Sequence, residues 1–377
     1  MKVVIASDSF KEAISAKQAC QAIKKGVQQV FPQAEILQLP MADGGEGTTE
    51  ALIDASQGTY YTVEVQGPLG DKVVAQYGIL GDGKTAVIEM ASASGIHLVK
   101  KEDRNPLVTS TYGTGQVIKT CLDQGIRSFI LGIGGSATND GGAGMAQALG
   151  YSLLDKEGRN IPFGNQGLSL LDRIDCQNIH PALANSSFKV ACDVNNSLCG
   201  PQGASAVFGP QKGASAEMIG KLDANLEHFS RLIYRDLNRQ VAHIAGSGAA
   251  GGLGAGLLAF TSAELKRGID IVIETVELKT ALQDVDICFT GEGQIDFQTQ
   301  YGKTPFGVMQ LAKQVAPQSK VIALCGSMGE GIEILYQLGF DAILSITPGP
   351  SSLEDLLYNT EENLTASSRA VCQLLKK

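Results

Sequence analysis

The chain has no tryptophan among its 377 residues, and aromatics make up only 6%. Charged residues are scarce too, at 18% against a usual figure of about 25%. The four histidines, His97, His180, His228 and His243, are scattered, with no HExxH and no Cys/His cluster. A structural zinc site is therefore not expected. No two of the eight cysteines form a CxxC pair. Most stand in apolar runs, as at Cys192, Cys288 and Cys325, and read as reduced core thiols of a cytosolic protein. No apolar run reaches the 18 residues a membrane-spanning helix needs. The only apolar stretch at the N-terminus, Val3 to Ala6, is too short for a signal peptide. A cytoplasmic location is the expectation.

Basic residues are in deficit: 30 Lys+Arg stand against 39 Asp+Glu, a net charge of −9. An acidic surface repels polyanions, so no nucleic-acid partner is expected, and no membrane partner either. A small anionic substrate stays open, because a local site can be basic in an acidic protein. Nothing in the chain signals an oligomeric state. What the chain has in excess is glycine. Its 45 glycines are about 12% of the chain, against an average of about 7%. They follow no G-x-y period, and the 44% apolar content is too high for disorder. The excess points to turns at positive φ and to backbone that approaches a ligand closely.

At roughly 150 residues per domain the length suggests two domains or one large one. Lys2 to Ser7 reads as a buried strand. Ser15 with Gln18 makes a capping box for a helix whose apolar face is Ala16, Ala19, Cys20, Ile23, Val27 and Val30. Glu35 to Pro40 reads as a second strand, so the chain opens β-α-β. The last third repeats that logic, with strands at Val285 to Thr290, Lys320 to Cys325 and Ala342 to Thr347. Helices lie around Pro305 to Val315, Gly331 to Leu338 and Glu361 to Leu375. The middle differs. Tyr61 to Val65, Val73 to Leu80 and Thr85 to Met90 alternate as an antiparallel meander. Then follow a helix from about Thr114 to Gln124, a strand Ser128 to Ile133, a short helix Gly141 to Leu149 and a strand Lys189 to Cys192. The expected architecture is one doubly wound α/β domain from residues 1–60 plus 281–377, with a mixed α+β insert at 61–280.

Two nucleotide-binding patterns match formally. Gly78 to Thr85 fits G-x-x-x-x-G-K-[ST], but the residues after it are β-like and Asp82-Gly83 is a hairpin signal, where a phosphate loop must enter a helix. Gly246 to Gly251 fits G-x-G-x-x-G, yet lies deep in the middle region rather than in the first βαβ unit. The whole Gly/Ala run Gly246 to Leu258 reads better as a tightly packed helix or turn, and the pattern is the sole hint of a dinucleotide-dependent oxidoreductase. Gly302-Lys303-Thr304 has Phe297 where the first glycine of a phosphate loop belongs, though Lys303 could still meet a phosphate.

Four other loops carry chemistry, each following an inferred strand, where open α/β sheets bind ligands. They are Ser7 to Lys11, Met41 to Thr48, Gly134 to Gly142 and Thr290 to Asp296. Their glycines let backbone amides face an anion, Ser, Thr and Lys add donors, and carboxylates suit a hard cation such as Mg²⁺. Each residue also has a plain structural reading: Asp8 and Ser9 as caps, Lys11 as a surface charge, Asp43 as a turn residue, and Thr138, Asn139 and Asp140 as N-caps. Asp193, Asn195, Glu292 and Asp296 share that ambiguity. Recurrence of acid–glycine loops at strand ends favours a phosphate- or nucleotide-handling α/β enzyme.

The chain resembles the glycerate kinase family. The resemblance rests on ASDSFKEAISA (Ala6 to Ala16), PMADGGEGT (Pro40 to Thr48), AVIEMASASGI (Ala86 to Ile96), TYGTGQ (Thr111 to Gln116), GIGGSATNDGGAGM (Gly132 to Met145), ACDVNNSLCGPQGA (Ala191 to Ala204), GAAGGLGAGL (Gly248 to Leu257) and TGEGQIDFQT (Thr290 to Thr299). It implies a flavodoxin-like domain from both chain ends with an inserted mixed α/β domain. It also implies ATP as co-substrate, Mg²⁺ as cofactor, glycerate as acceptor, 2-phosphoglycerate as product, and a site in the cleft between the domains. Within that frame Asp43, with Asp193 next, is the candidate for facing the glycerate hydroxyl. Glu292 and Asp296 are candidates for Mg²⁺. Lys11, Asp8 and Ser9 are candidates for phosphate or the glycerate carboxylate, with Gly44 and Gly45 beside them. Gly135, Ser136, Thr138 and Asn139 form a candidate anion pocket, Asn195 accompanies Asp193, and Lys303 is a further phosphate candidate. The rival readings are a kinase of another small hydroxy acid, the oxidoreductase, and a non-catalytic binder of a phosphorylated metabolite.

Overall fold

Branched apolar side chains in Lys2-Val-Val-Ile5 favour an extended backbone buried on both faces, and Val3, Val4 and Ile5 are fully buried in a parallel sheet. The computed structural model describes residues 1–45 and 47–376; Glu46, in the second acid–glycine loop, and Lys377 lie outside the described residues. In chain order the strands are β1 (Lys2–Ile5), β2 (Glu35–Gln38), β3 (Thr59–Gln66), β4 (Lys72–Ile79), β5 (Thr85–Glu89), β6 (Ser128–Gly132), β7 (Ser152–Leu154), β8 (Arg173–Asp175), β9 (Ser187–Ala191), β10 (Ala263–Lys266), β11 (Ile287–Ile295), β12 (Lys320–Met328) and β13 (Ala342–Ser345).

The chain divides into two units, one built from Met1–Gln57 and Arg267–Lys377, the other from Gly58–Lys266. In the first, five parallel strands run in the order β13-β12-β11-β1-β2. Counted along the unit this is the flavodoxin-like order 2-1-3-4-5. The helix Ala16–Val30 starts on the expected capping box, with the Gln18 amide donating to Ser15 and the Ser15 amide to Gln18 Oε1. Its buried face joins Val3, Ile5, Phe289, Ile322 and Leu364 in one core. The C-terminal segment begins at 267 rather than at the expected 281. The apolar run Ile269 to Val272 forms a helix, Gly268–Thr275, that belongs to the first unit. Gly268 there lies so near the Asp43 carbonyl that any side chain would overlap it.

In the second unit six strands run in the order β10-β9-β6-β5-β4-β3. The meander β3-β4-β5 is antiparallel, and β5, β6, β9 and β10 are mutually parallel. Phe129 and Phe188 stand directly opposite each other on β6 and β9 and stack at 4.6 Å between ring centroids. Such a pair contributes roughly 0.5–1.5 kcal/mol beyond its buried area. A helix of 22 residues, Ala216–Leu237, contributes Leu226, Phe229 and Ile233 to this core.

Both formal nucleotide patterns of the middle region resolve as structure. Residues 80–84 make the β4–β5 turn, with Asp82 accepting from the Lys84 and Thr85 amides at 2.8 and 2.9 Å. The glycines of Gly246 to Gly251 permit close backbone packing: a side chain at Gly248 would overlap the Ser197 carbonyl, and one at Gly251 the Thr138 carbonyl. All eight cysteines are free thiols and five of them are buried. Among the described residues no helix is long and apolar enough to cross a membrane.

Candidate active site

In the first unit the carboxyl ends of β1 and β11, the two strands at which the strand order reverses, open onto a cavity of about 500 Å³. Ligands of open α/β sheets bind at that kind of switch point. Asp8, Ser9, Lys11, Asp43, Glu292 and Lys303 all line it. Asp8 continues the β1 ladder, its amide donating to the Gly291 carbonyl at 2.9 Å. Its carboxylate accepts from the Ser9 amide at 2.6 Å and from the Thr304 hydroxyl at 2.6 Å. Asp43 follows β2 in a turn and accepts from the Gly45 amide at 3.0 Å, which commits that amide. Gly44 takes a left-handed φ of 97°, the conformation a glycine adopts without strain. Glu292, within β11, accepts from the Thr299 hydroxyl at 3.2 Å and has Lys303 Nζ at 3.7 Å. Among the described residues Lys11 has no ion-pair partner.

Burial dominates the electrostatics. It pushes the Asp8 carboxyl up to about 6, with the Thr304 hydrogen bond opposing and the negative charge of Asp43 adding to the rise. It pushes Glu292 up to about 7, with Lys303 opposing and Asp8 adding. These carboxylates repel one another across the cavity and would gain from a cation brought by a ligand.

Asp296 stands apart from the cavity lining. Its carboxylate accepts from the Gln298 amide at 2.8 Å and caps the short turn Phe297–Tyr301. The negative charges that raise Glu292 are those of Asp8 and Asp43, and Glu292 and Asp296 are linked through Thr299, whose hydroxyl donates to the Glu292 carboxylate and accepts from the Asp296 amide. The plain reading of Asp296 as a cap accounts for it.

In the second unit the loops after β6 and β9 leave neighbouring parallel strands at the same end, since Gly132 pairs with Ala191. Gly135 is exposed at φ 71°, and Ser136 is 7% exposed. Thr138 and Asn139 are 0% exposed and present no surface to a ligand. Asn139 Oδ1 accepts from Asn165 and Ser205, both at 3.1 Å, so this part of the expected anion pocket holds the loop together instead. Asp140 accepts from the amides of Thr111, Gly142 and Gly144 and fixes the start of the helix Ala143–Ala148. Asp193 and Asn195 lie exposed on the loop beyond β9.

Lys212 escaped the sequence reading. It is 2% exposed, and its Nζ donates to Ser136 Oγ and to the Thr138 carbonyl, both at 2.7 Å. Burial pulls its pKa down to about 7, with Asp140 opposing. A lysine that ends the short turn Pro210–Lys212, just before Gly213, carries no local signal of burial. Thr299 and Thr304, which hold the acids of the first unit, were equally silent, because a helix-start threonine looks the same whatever it meets.

Fold and site together define a doubly wound α/β enzyme whose sheet carries acids and lysines at its switch point. Residues 3–376 match the model of the Glycerate kinase family. The chain is 51% identical to the glycerate kinase of Haemophilus influenzae, over 100% of this chain and 99% of that one. It is 48% identical to the glycerate 2-kinase of Escherichia coli, over 100% and 98% of the two chains. A solved structure described as a glycerate kinase 2 from Salmonella typhimurium LT2 superposes with a TM-score of 0.92 at 48% identity, covering 100% of this chain and 98% of that one. The chain belongs to the glycerate kinase family.

Proposed function

We propose that this chain transfers the γ-phosphoryl group of ATP to the 2-hydroxyl of D-glycerate, giving 2-phosphoglycerate and ADP. The observation that carries the site assignment is the gathering of Asp8, Asp43 and Glu292 with Lys11 and Lys303 in one cavity at the switch point of the first unit. Phosphoryl transfer asks a protein for positioning and charge stabilisation more than for covalent chemistry. Lys11 and Lys303 supply cations for phosphate oxygens, and Ser9 supplies a hydroxyl donor. Asp43 orients the acceptor hydroxyl and takes its proton as the oxygen attacks.

A magnesium ion fits the donor set in a restricted way. Among the described residues no group of three or more His, Cys, Asp or Glu side chains is arranged to hold a metal. Mg²⁺ in kinases is held by one or two carboxylates, with substrate phosphates and waters completing its shell. Asp8 and Glu292, two half-buried oxygen donors that line one cavity and raise each other's affinity for a positive charge by mutual repulsion, meet that requirement. Mg²⁺ would neutralise negative charge on the transferring group when bound with the nucleotide. In the second unit Gly135 and Ser136 are the proposed anion donors, with Asp193 and Asn195 the alternative hydroxyl-facing pair.

Incubation with MgATP and D-glycerate, followed by phosphorus NMR, tests reaction and position together. A phosphate ester on C2 gives a resonance split as a doublet by one proton, and an ester on C3 a triplet. ADP with the doublet is expected. Failure to form ADP would sink the kinase reading. Asp43→Asn should lower turnover by about 10²-fold or more with an unchanged circular dichroism spectrum; near-normal turnover removes Asp43 from the reaction.

A further inference from the structure

The acids and lysines occupy one end of the cavity. From there it passes the ends of β11 and β12, at Gln294 and Ser327, and reaches Ile346 beyond β13. Its apolar wall is Leu356 and Leu357, on the helix Leu353–Tyr358, with Asn363 on the helix Thr360–Leu375. We propose that this apolar wall binds the purine–ribose half of the nucleoside triphosphate, base against Leu356, Leu357 and Ile346, with the phosphates where β1 and β11 end. The inference rests on the kinase reading and deepens it by fixing which substrate the cavity takes and in which direction.

Three observations carry it. Four adjacent strands span three sheet spacings, about 14 Å at roughly 4.8 Å each. A three-carbon acid fills only a small part of that run, and a cavity of about 500 Å³ falls in the range of roughly 300–1,000 Å³ that larger ligands use. Second, the lining is of two chemistries, charged at Asp8, Lys11, Asp43, Glu292 and Lys303 and apolar at Leu356, Leu357 and Ile346. Glycerate is polar throughout and gains nothing from a leucine wall, whereas a nucleotide has one charged end and one flat, weakly polar end. Third, among the described residues the Asn363 side-chain amide has no hydrogen-bond partner. It offers a donor and an acceptor side by side, the pair an amino-purine edge can accept and return.

The absence of tryptophan supplies a clean probe. Leu353 lines the cavity and is 70% exposed, so Leu353→Trp adds a single reporter at little risk to the fold. ATP and adenosine should both change its emission, and inorganic tripolyphosphate should not. A second experiment uses calorimetry on Leu356→Gln/Leu357→Gln. Its affinity for ATP should fall at least tenfold while that for tripolyphosphate stays within twofold. Conversely, tripolyphosphate altering the Leu353→Trp emission as ATP does, or ATP binding unchanged in the double variant, overturns the proposal. The wild-type assay for ADP is read separately. Turnover without these binding effects rejects the base site and leaves the kinase reading standing; a wild type that binds no ATP rejects both.

Discussion

Lys212, which is buried, and Asp8 and Glu292, which are half-buried, have opposite consequences for pH. In the unfolded chain a lysine keeps its proton up to about 10.5, whereas folded Lys212 gives it up near 7. Between those values the unfolded state binds the extra proton, so this residue makes stability rise with pH. The advantage is lost as pH falls toward 7. Chemical denaturation of wild type and Lys212→Met should therefore show the difference in unfolding free energy moving toward wild type between pH 7 and pH 9. A difference independent of pH would mean that Lys212 keeps its charge. Asp8 and Glu292 behave in reverse: their folded values of about 6 and about 7 lie above the free values of 3.8 and 4.5, so their contribution to stability is present at low pH and is lost as pH rises from about 4 to about 7. At this scale the sequence was informative where residue type and loop position coincide, as for Asp8, Asp43 and Glu292. It was silent on Lys212, whose partners Ser136 and Thr138 lie more than seventy residues away.

Among the elements, the helix Ala249–Phe260 shows what the glycine excess is for. Ala250, Gly251 and Gly252 open it at positive φ, and a side chain at Gly251 would overlap the carbonyl of Thr138. That same carbonyl accepts from Lys212. Gly251→Ala should cost well over the roughly 1–2 kcal/mol that left-handed backbone alone costs an L-residue. Gly220, exposed in the helix Ala216–Leu237 with open space around it, is the control. Gly220→Ala should stabilise by about 0.5–1 kcal/mol. Thermal melts decide the matter: equal Tm values for Gly251→Ala and wild type would contradict the packing argument. The sequence marked Gly246 to Leu258 as tightly packed but could not say against what. The helix Ala216–Leu237 buries Leu222, Leu226, Phe229 and Ile233 along one face.

For the molecule as a whole, the first unit depends on both chain ends. The helix Thr360–Leu375 packs on Ala16–Val30, with Thr365 and Ser368 donating to the carbonyls of Ala22 and Ile23 at 3.0 and 3.3 Å. Gly26 leaves room for Ser368. Truncation after Asn359 removes buried Leu364, Val371 and Cys372 from that core. Hydrogen exchange should then report lost protection in β1, β2 and Ala16–Val30; full protection there would show that the last helix is dispensable. The sequence by itself determined most of the strands (β7, β8 and β10, three or four residues long, gave no signal), the capping box and the acid–glycine loops, because hydrophobic period, caps and turn chemistry act within a few residues. Its motifs also sufficed to point to the family. Only the tertiary structure decided that Asp8 and Asp43 share one cavity with Glu292 while Asp296 caps a turn, that Thr138 and Asn139 turn inward, and that the first unit resumes at Arg267. Burial and long-range hydrogen bonds settle those points, and both depend on which distant segments pack together.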